Sequence, residues 1–204
     1  HLLGLNHSAI ISSTMYPYTP INNSFQSLLQ PDDIIGLGNL YPFSSESGVY
    51  GQEHSERVNF YENGGSGSGR ILKNNLPVFG AHVVFFNEFG TIVTSTLSDL
   101  KGLFELKGLP QGKYSFYAEP LIFPVSERQI SSFTGDFYEK HPLFKDFSTT
   151  IYNKNSKTAL TKLSNISFFE IKAKEALNNL DIELSNSKTN FNLSGFSNTG
   201  LPLN

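Results

Sequence analysis

The sequence of 204 residues contains no cysteine and a single methionine, Met15. Without cysteine the chain can form no disulfide bond and offers no thiol nucleophile, so disulfide-stapled folds and thiol-dependent catalysis are excluded. The sequence also lacks a strong excess of charge of either sign. Fifteen basic residues against 18 acidic ones leave a formal net charge of −3, and no basic run exceeds a couple of residues. Nucleic acid is therefore not an expected partner.

Long apolar runs are absent too. No stretch approaches the roughly 20 apolar residues that a membrane-spanning helix needs, so no membrane span is expected. The chain does contain 38% hydrophobic and 13% aromatic residues. This content is enough for a packed core, and the length suits one or two domains.

The most specific pattern lies at the beginning of the sequence, where His1 and His7 bracket Gly4 in H-x-x-G-x-x-H. A glycine just past a helical turn can adopt the left-handed conformation that ends a helix. The reversal at Gly4 would bring His7 toward His1, so that both imidazoles could bind one metal ion. Met15 follows His7 by eight residues. Taken singly, a histidine pair can arise by chance and a methionine usually fills a core.

A helix start is predicted at Pro31. Proline is favoured at the first helical position, and the carboxylates of Asp32 and Asp33 suit the positive end of the helix dipole. These two residues are therefore expected to begin a helix rather than to act in catalysis. Ile34, Leu37 and Tyr41 recur at the spacing of one helical face and are expected to pack.

Four elements agree in order and spacing over residues 1–42: H-L-L-G-L-N-H-S, M-Y-P, D-D-I-I-G-L and L-Y-P. Together they resemble the C-terminal part of the catalytic domain of a matrixin, one of the metzincin zinc endopeptidases. The resemblance implies that His1 and His7 are zinc ligands and that Met15 is the Met-turn residue. It also implies a substrate-pocket wall formed by Tyr16, Pro17 and Tyr18. It allows a structural Ca²⁺ ion, which no pattern in this sequence indicates.

The same resemblance places the first zinc ligand and the general-base glutamate upstream of His1, so no catalytic residue is expected within the chain. The implied activity is hydrolysis of a protein or peptide by zinc-activated water, in an extracellular or cell-surface setting. With only two zinc ligands, these 204 residues are expected to bind metal weakly and to be inactive alone. The alternative is a noncatalytic extracellular adhesion or structural β-sandwich module, with residues 1–42 as a degenerate remnant.

Residues 43–69 are rich in serine, glycine and glutamate and end in G-G-S-G-S-G. Such composition is typical of a flexible interdomain linker. Because residues 1–42 would then lack a sheet to pack on, they are expected to be poorly ordered.

From Arg70 the apolar residues alternate and turn residues recur about every ten positions, which predicts a β-sandwich. The predicted strands are Phe79 to Phe86, Thr91 to Ser95, Leu103 to Leu106, Lys113 to Ala118, Ser164 to Lys172 and a closing strand at Leu177 to Leu184. The segments P-V-F-G-A-H-V, S-D with G-L-F, and G-L-P-Q-G-K-Y resemble a carboxypeptidase regulatory-like domain, a transthyretin-like β-sandwich. His82 and His141 are isolated and are expected to be packed or surface histidines.

The expected fold class is therefore an α+β chain in two parts. A truncated metzincin subdomain of helix and loop, residues 1–42, is joined by the linker at 43–69 to a mostly antiparallel β-sandwich at 70–185. The sandwich is expected to hold an aromatic-rich insertion at about 122–176, and residues 186–204 are expected to form a tail.

Overall fold

The computed structural model describes residues 1–18, 26, 28–42, 63–121, 125–130, 137–154 and 166–184. Within these residues the chain is mostly β, with two five-stranded sheets and three short helices. The helices are α1 (Pro31–Leu40), α2 (Glu127–Ile130) and α3 (Phe137–Lys140). The strands are β1 (Gly64–Lys73), β2 (Leu76–Pro77), β3 (Ala81–Asn87), β4 (Ile92–Leu97), β5 (Leu103–Pro110), β6 (Gly112–Pro120), β7 (Thr150–Ile151), β8 (Phe169–Ile171), β9 (Ala176–Leu177) and β10 (Ile182–Glu183).

The first sheet is built around β1. Its first seven residues pair antiparallel with β5 and, at Ser66 and Gly67, parallel with β9. Farther along β1, Ile71 and Leu72 pair parallel with β10, and Leu72 and Lys73 pair antiparallel with β2. The second sheet is antiparallel throughout, in the order β4-β3-β6-β7, and β8 also pairs with β6.

The hairpin between β3 and β4 shows why the turn forms where it does. Asn87 Oδ1 accepts hydrogen bonds from the backbone nitrogens of Phe89 and Thr91, at 3.0 and 2.9 Å. Gly90 takes a positive φ of 80°, which a residue with a Cβ adopts reluctantly. The polar Asn87 side chain thus satisfies the backbone while glycine reverses the chain.

An aromatic core lies between the two sheets. Phe85 and Phe116 stack with ring centroids 5.1 Å apart, and Phe104 lies 5.3 Å from Phe116. All three are almost completely buried. Because aromatic side chains remove large apolar areas from water, this cluster contributes to the stability of the sandwich.

Residues 1–18 and 28–42 form what we call the N-terminal clasp. Ile10 of the clasp is buried on the outer face of the second sheet, beside Val84, Phe86 and Tyr117. Helix α1 contacts both β4 and β5, the strands where the two sheets end on the same side. Its Ile35 belongs to the core between the sheets. The clasp therefore covers one sheet face and closes one open side of the sandwich.

Two expectations about order are wrong. Residues 1–42 are not an isolated remnant without a packing partner, because the described ones dock on the sandwich through Ile10 and Ile35. The flexible linker is wrong for Gly64 to Gly69, which form most of β1. The remainder of that linker, residues 43–62, and the tail at 186–204 lie outside the described residues.

The predicted fold class is consequently wrong. An α+β chain with a mainly helical protease subdomain is replaced by a mostly β protein whose longest described helix, α1, has ten residues. The strands predicted between Phe79 and Ala118 are confirmed as β3 to β6. The closing strand at Leu177 to Leu184 is instead divided into β9 and β10, two residues each, both parallel to β1. The division into domains stays a prediction.

The helix start at Pro31 is confirmed. No helix in the described part of the chain is long and apolar enough to cross a membrane.

Candidate functional site

The two histidines of the opening motif lie side by side. Nε2 of His1 is 2.9 Å from Nε2 of His7, and the rings are nearly perpendicular, with centroids 4.4 Å apart. Nδ1 of His1 lies 3.0 Å from the carbonyl oxygen of Leu5. A proton on Nδ1 donated to that carbonyl leaves Nε2 free to act as a metal ligand. Gly4, with a φ of 87°, provides the predicted chain reversal.

Met15 lies near this pair. Its sulfur is 4.0 Å from the backbone nitrogen of His1, and its carbonyl accepts a hydrogen bond from the backbone nitrogen of Ser8 at 2.9 Å. The segment around Met15 is held by Asp33, which is 2% exposed. Asp33 accepts hydrogen bonds from Ser13 Oγ at 2.7 Å and from the Thr14 backbone nitrogen at 2.9 Å. The turn that contains Met15 is thus fixed by a carboxylate at the start of α1, and the role of Met15 as a Met-turn residue stays a prediction.

The three residues that follow Met15 do not line the cavity described below. The rings of Tyr16 and Tyr18 meet edge to face with centroids 6.1 Å apart. Burial raises the pKa of the Tyr16 hydroxyl, and neighbouring Tyr18 adds to that rise. The assignment of Tyr16, Pro17 and Tyr18 to a substrate-pocket wall stays a prediction.

Asp32 joins three parts of the chain. Its Oδ2 accepts a hydrogen bond from Ser8 Oγ at 2.6 Å, and its Oδ1 accepts one from Thr94 Oγ1 at 2.9 Å. Burial raises the pKa of this carboxyl, although the hydrogen bonds from Ser8, Thr94 and the backbone of Ser95 oppose the rise. Asp32 therefore favours the uncharged acid more than an exposed aspartate does.

A cavity of about 460 Å³ lies between the clasp and the second sheet. Residues 94–99, which comprise the second half of β4 and the turn after it, form one wall. The clasp contributes His7, Met15 and Asp32 to the lining. Phe79 and Tyr138, which lie outside the clasp, line the cavity as well. This volume falls within the usual range of small-molecule pockets.

His82 also lines this cavity and is 4% exposed. Its Nδ1 lies 3.0 Å from Glu119 Oε1, the residue directly opposite on β6. Its Nε2 is buried and has no hydrogen-bond partner among the described residues. The expectation of a packed histidine is confirmed, but the pairing with Glu119 was not predicted. Only the register between β3 and β6 brings the two residues together, and that register cannot be extracted from the sequence around His82.

The residues present supply only part of the ligand set that a catalytic zinc site requires. Catalytic zinc normally has three protein ligands, and His1 with His7 supplies two. Among the described residues no group of three histidine, cysteine, aspartate or glutamate side chains is placed to hold a metal ion. No catalytic step through zinc is therefore derived, and zinc binding by His1 and His7 stays a prediction.

No protein-family model and no curated protein matches the chain. Solved structures that are similar over part of it include BcpA, the major pilin subunit of Bacillus cereus. That pair shares 17% identity over 61% of this chain and 31% of the pilin, with a TM-score of 0.35. Klebsiella pneumoniae 5-hydroxyisourate hydrolase matches at 17% identity over 59% of this chain and 91% of the hydrolase, with a TM-score of 0.31.

A third similar structure is the backbone protein of group B streptococcus pilus 2b. It is 12% identical over 69% of this chain and 46% of that protein, with a TM-score of 0.30. The chain thus spans less than half the length of either pilus protein. TM-scores of this size are too low to transfer a fold or a function.

The matrixin resemblance and the functions it implied are corrected by these observations. No family model supports it, and the described part of residues 1–42 forms a clasp on a β-sandwich rather than a helical protease subdomain. The identification as a zinc endopeptidase is therefore wrong. The two-sheet architecture agrees better with the alternative, a noncatalytic β-sandwich module.

Proposed function

We propose that the chain is a noncatalytic structural or adhesion module, with the β-sandwich as its body and the N-terminal clasp as an integral part of it. The observation that carries this proposal is the docking of α1 across β4 and β5, with Ile35 buried in the core between the sheets. A degenerate remnant of another domain is not expected to contribute a residue such as Ile35 to the core of the sandwich.

The clasp addresses a general weakness of sheets. Edge strands expose unpaired backbone groups and invite association with other chains unless a helix, loop or charge covers them. Strand β4 is an edge of the second sheet, and α1 covers it with Asp32 bound to Thr94 and to the backbone of Ser95. Asn39 Nδ2 also donates to the carbonyl of Lys107 on β5, at 3.1 Å. These contacts protect both edges and suit a module that must stay folded and monodisperse.

Hydrogen exchange tests whether clasp and sandwich form one unit. We expect amides around Ser13 and along α1 to be protected by the same free energy as amides in β3 and β6, because Asp33 and Ile35 tie them to the core. Rapid exchange of the clasp beside a fully protected sandwich would show that the clasp is a separate, loosely attached segment and would refute the proposal.

Catalysis is tested directly with casein and added Zn²⁺. The proposal predicts no cleavage above that of a His7→Ala variant, in which one imidazole of the pair is missing. Zinc-dependent cleavage that disappears in His7→Ala would overturn the noncatalytic assignment.

The proposed location is outside the cell or on its surface. Protease treatment of intact cells that produce the chain, with a cytoplasmic protein as the control, tests this part. The chain is expected to be accessible while the control stays intact; protection of both places the chain inside the cell and contradicts the proposal.

We also propose that His1 and His7 bind a divalent metal ion such as Zn²⁺ weakly. Two nitrogens bound to tetrahedral zinc at about 2.0 Å are separated by roughly 3.3 Å. The 2.9 Å between the Nε2 atoms is close to that separation, which supports a shared ion.

A further inference from the structure

The cavity beside β4 contains an unsatisfied nitrogen. Nε2 of His82 is buried without a partner among the described residues, although leaving a buried polar group unpaired destabilises a fold. Such groups are uncommon in folded proteins and call for a physical explanation.

The orientation of the ring follows from its other nitrogen. Nδ1 is held by Glu119 on β6, which lies on one side of β3, and β4 lies on the other side. Because the two nitrogens of an imidazole point in largely opposed directions, Nε2 is directed toward β4. Residues 94–99, from β4 onward, and His82 itself line the cavity. His82 is therefore part of the cavity wall, and its unsatisfied nitrogen is buried within that wall.

The tautomer decides what Nε2 can bind. A carboxylate at Glu119 accepts the proton of Nδ1, so that Nε2 carries a lone pair and acts as an acceptor. The complementary ligand group must then be a hydrogen-bond donor. If Nε2 carried a proton as well, the His82 ring would be a buried cation and would need an acceptor as its partner.

The charges along the cavity narrow the class of donor. The described lining residues include Asp33, Asp99 and Asp32, of which Asp32 favours its uncharged form because of burial, and they include no lysine or arginine. Glu119 adds a carboxylate behind the imidazole. A cationic donor is favoured by this arrangement, whereas an anion would meet only negative or neutral groups.

Aromatic walls favour the same class. Phe79 and Tyr138 both line the cavity, and their rings are stacked with centroids 6.4 Å apart. Aromatic faces attract ammonium groups through the ring quadrupole, most strongly where water is excluded. The aliphatic part of a small amine could also pack on Leu106 and Ile35, which line the same space.

We propose that this cavity is a binding site for a small organic amine whose ammonium group donates a hydrogen bond to Nε2 of His82. Glu119 orients the imidazole and adds negative charge, and it is a positioning residue rather than a ligand contact. His7 also lines this cavity, but the proposed contact is with His82, and the proposal does not require the chain to be an enzyme.

Three four-carbon probes test the proposal by their end groups: 1,4-diaminobutane, 1,4-butanediol and succinate. Binding is followed by isothermal titration calorimetry and by the ring proton and ¹⁵N signals of His82 in nuclear magnetic resonance spectra. We expect saturable binding of the diamine with a shift of the His82 signals. The diol should bind more weakly, and succinate should not bind.

Two variants and one control locate the site. His82→Gln should weaken diamine binding by about tenfold or more, since a hydrogen bond to a charged group is lost. Glu119→Gln should weaken it less and should change the ¹⁵N signals of the His82 ring in the free protein, which a purely structural role would not predict. His141→Gln removes a histidine outside the cavity lining and should leave binding unchanged.

The wild-type resonances keep the test valid even if His82→Gln fails to fold. Equal or tighter binding of succinate, an absence of saturable diamine binding, or diamine shifts at His141 with none at His82 would each overturn the proposal.

Discussion

Thr94 Oγ1 on β4 donates a hydrogen bond to Asp32 Oδ1 in α1 at 2.9 Å. The two residues are 62 positions apart, and the bond fastens the clasp to the edge of the second sheet. The other carboxyl oxygen accepts a hydrogen bond from the hydroxyl group of Ser8. A single side chain therefore joins the opening motif, the helix and the sandwich, and its protonation state affects all three.

The first prediction concerns the pH dependence of stability. Burial raises the pKa of Asp32 in the folded chain, so the fold favours the uncharged acid. The stability from this residue is fully present below the ordinary pKa of aspartate and is lost as pH rises through the raised folded pKa. The loss amounts to about 1.4 kcal/mol for each unit by which the pKa is raised.

Urea unfolding of wild type and Asp32→Asn between acid and neutral pH measures this effect. The uncharged amide removes the titration, so wild type should lose stability relative to the variant as pH rises. Asp146→Asn, at an exposed position, serves as the control and should parallel wild type. A constant difference between wild type and Asp32→Asn at every pH would contradict the raised pKa.

The second prediction compares two adjacent isoleucines in α1. Ile35 is 5% exposed and packs in the core, whereas Ile34 is 54% exposed. Ile35→Ala should lower the free energy of unfolding by about 2–4 kcal/mol, because it leaves a cavity where α1 closes the sandwich. Ile34→Ala should change it by about 0.5 kcal/mol or less. Equal effects of the two substitutions in chemical denaturation would show that α1 does not close the core.

How far the fold could be predicted depended on local chemistry. Strands β3 to β6 were predictable because alternation and turn residues act over a few positions, as Asn87 and Gly90 do in the hairpin. The start of α1 was predictable for the same reason, since Pro31 and Asp33 act within one turn. Residues whose hydrogen-bond partners lie a few positions away produce a pattern that is visible in the sequence.

The errors arose where distant residues decide the structure. The G-G-S-G-S-G run predicted a linker, yet it forms part of strand β1. Gly65, Gly67 and Gly69 lie on the buried face of that strand. A Cβ at Gly67 would lie 3.2 Å from Phe85 Cε1, so glycine is used there for close packing rather than for flexibility. The matrixin resemblance likewise rests on residues 1–42 alone. It does not include the surface of the sandwich on which Ile10 and Ile35 are buried. His82 and Glu119 meet only through strand register.

The third prediction tests this account of β1. A Cβ at Gly65 would lie 2.6 Å from the carbonyl oxygen of Lys172 and 2.9 Å from that of Glu175. Since backbone atoms cannot rotate away, Gly65→Ala should destabilise the fold by about 1–3 kcal/mol. Ser66→Ala, on the other face of the strand, is the matched control and should be nearly neutral. If Gly65→Ala proved neutral or stabilising in thermal unfolding, the glycines would act as a flexible linker after all.

The fourth prediction concerns metal binding by the opening motif. Calorimetric titration with zinc chloride should reveal weak binding to wild type, because two imidazoles leave half of a tetrahedral site to water. His7→Ala should abolish the saturable signal, since the Nε2 atom that lies 2.9 Å from that of His1 is removed. His141→Gln removes a histidine from elsewhere in the chain and should retain it. Tight, stoichiometric zinc binding that survives in His7→Ala would place the metal elsewhere and would refute the site.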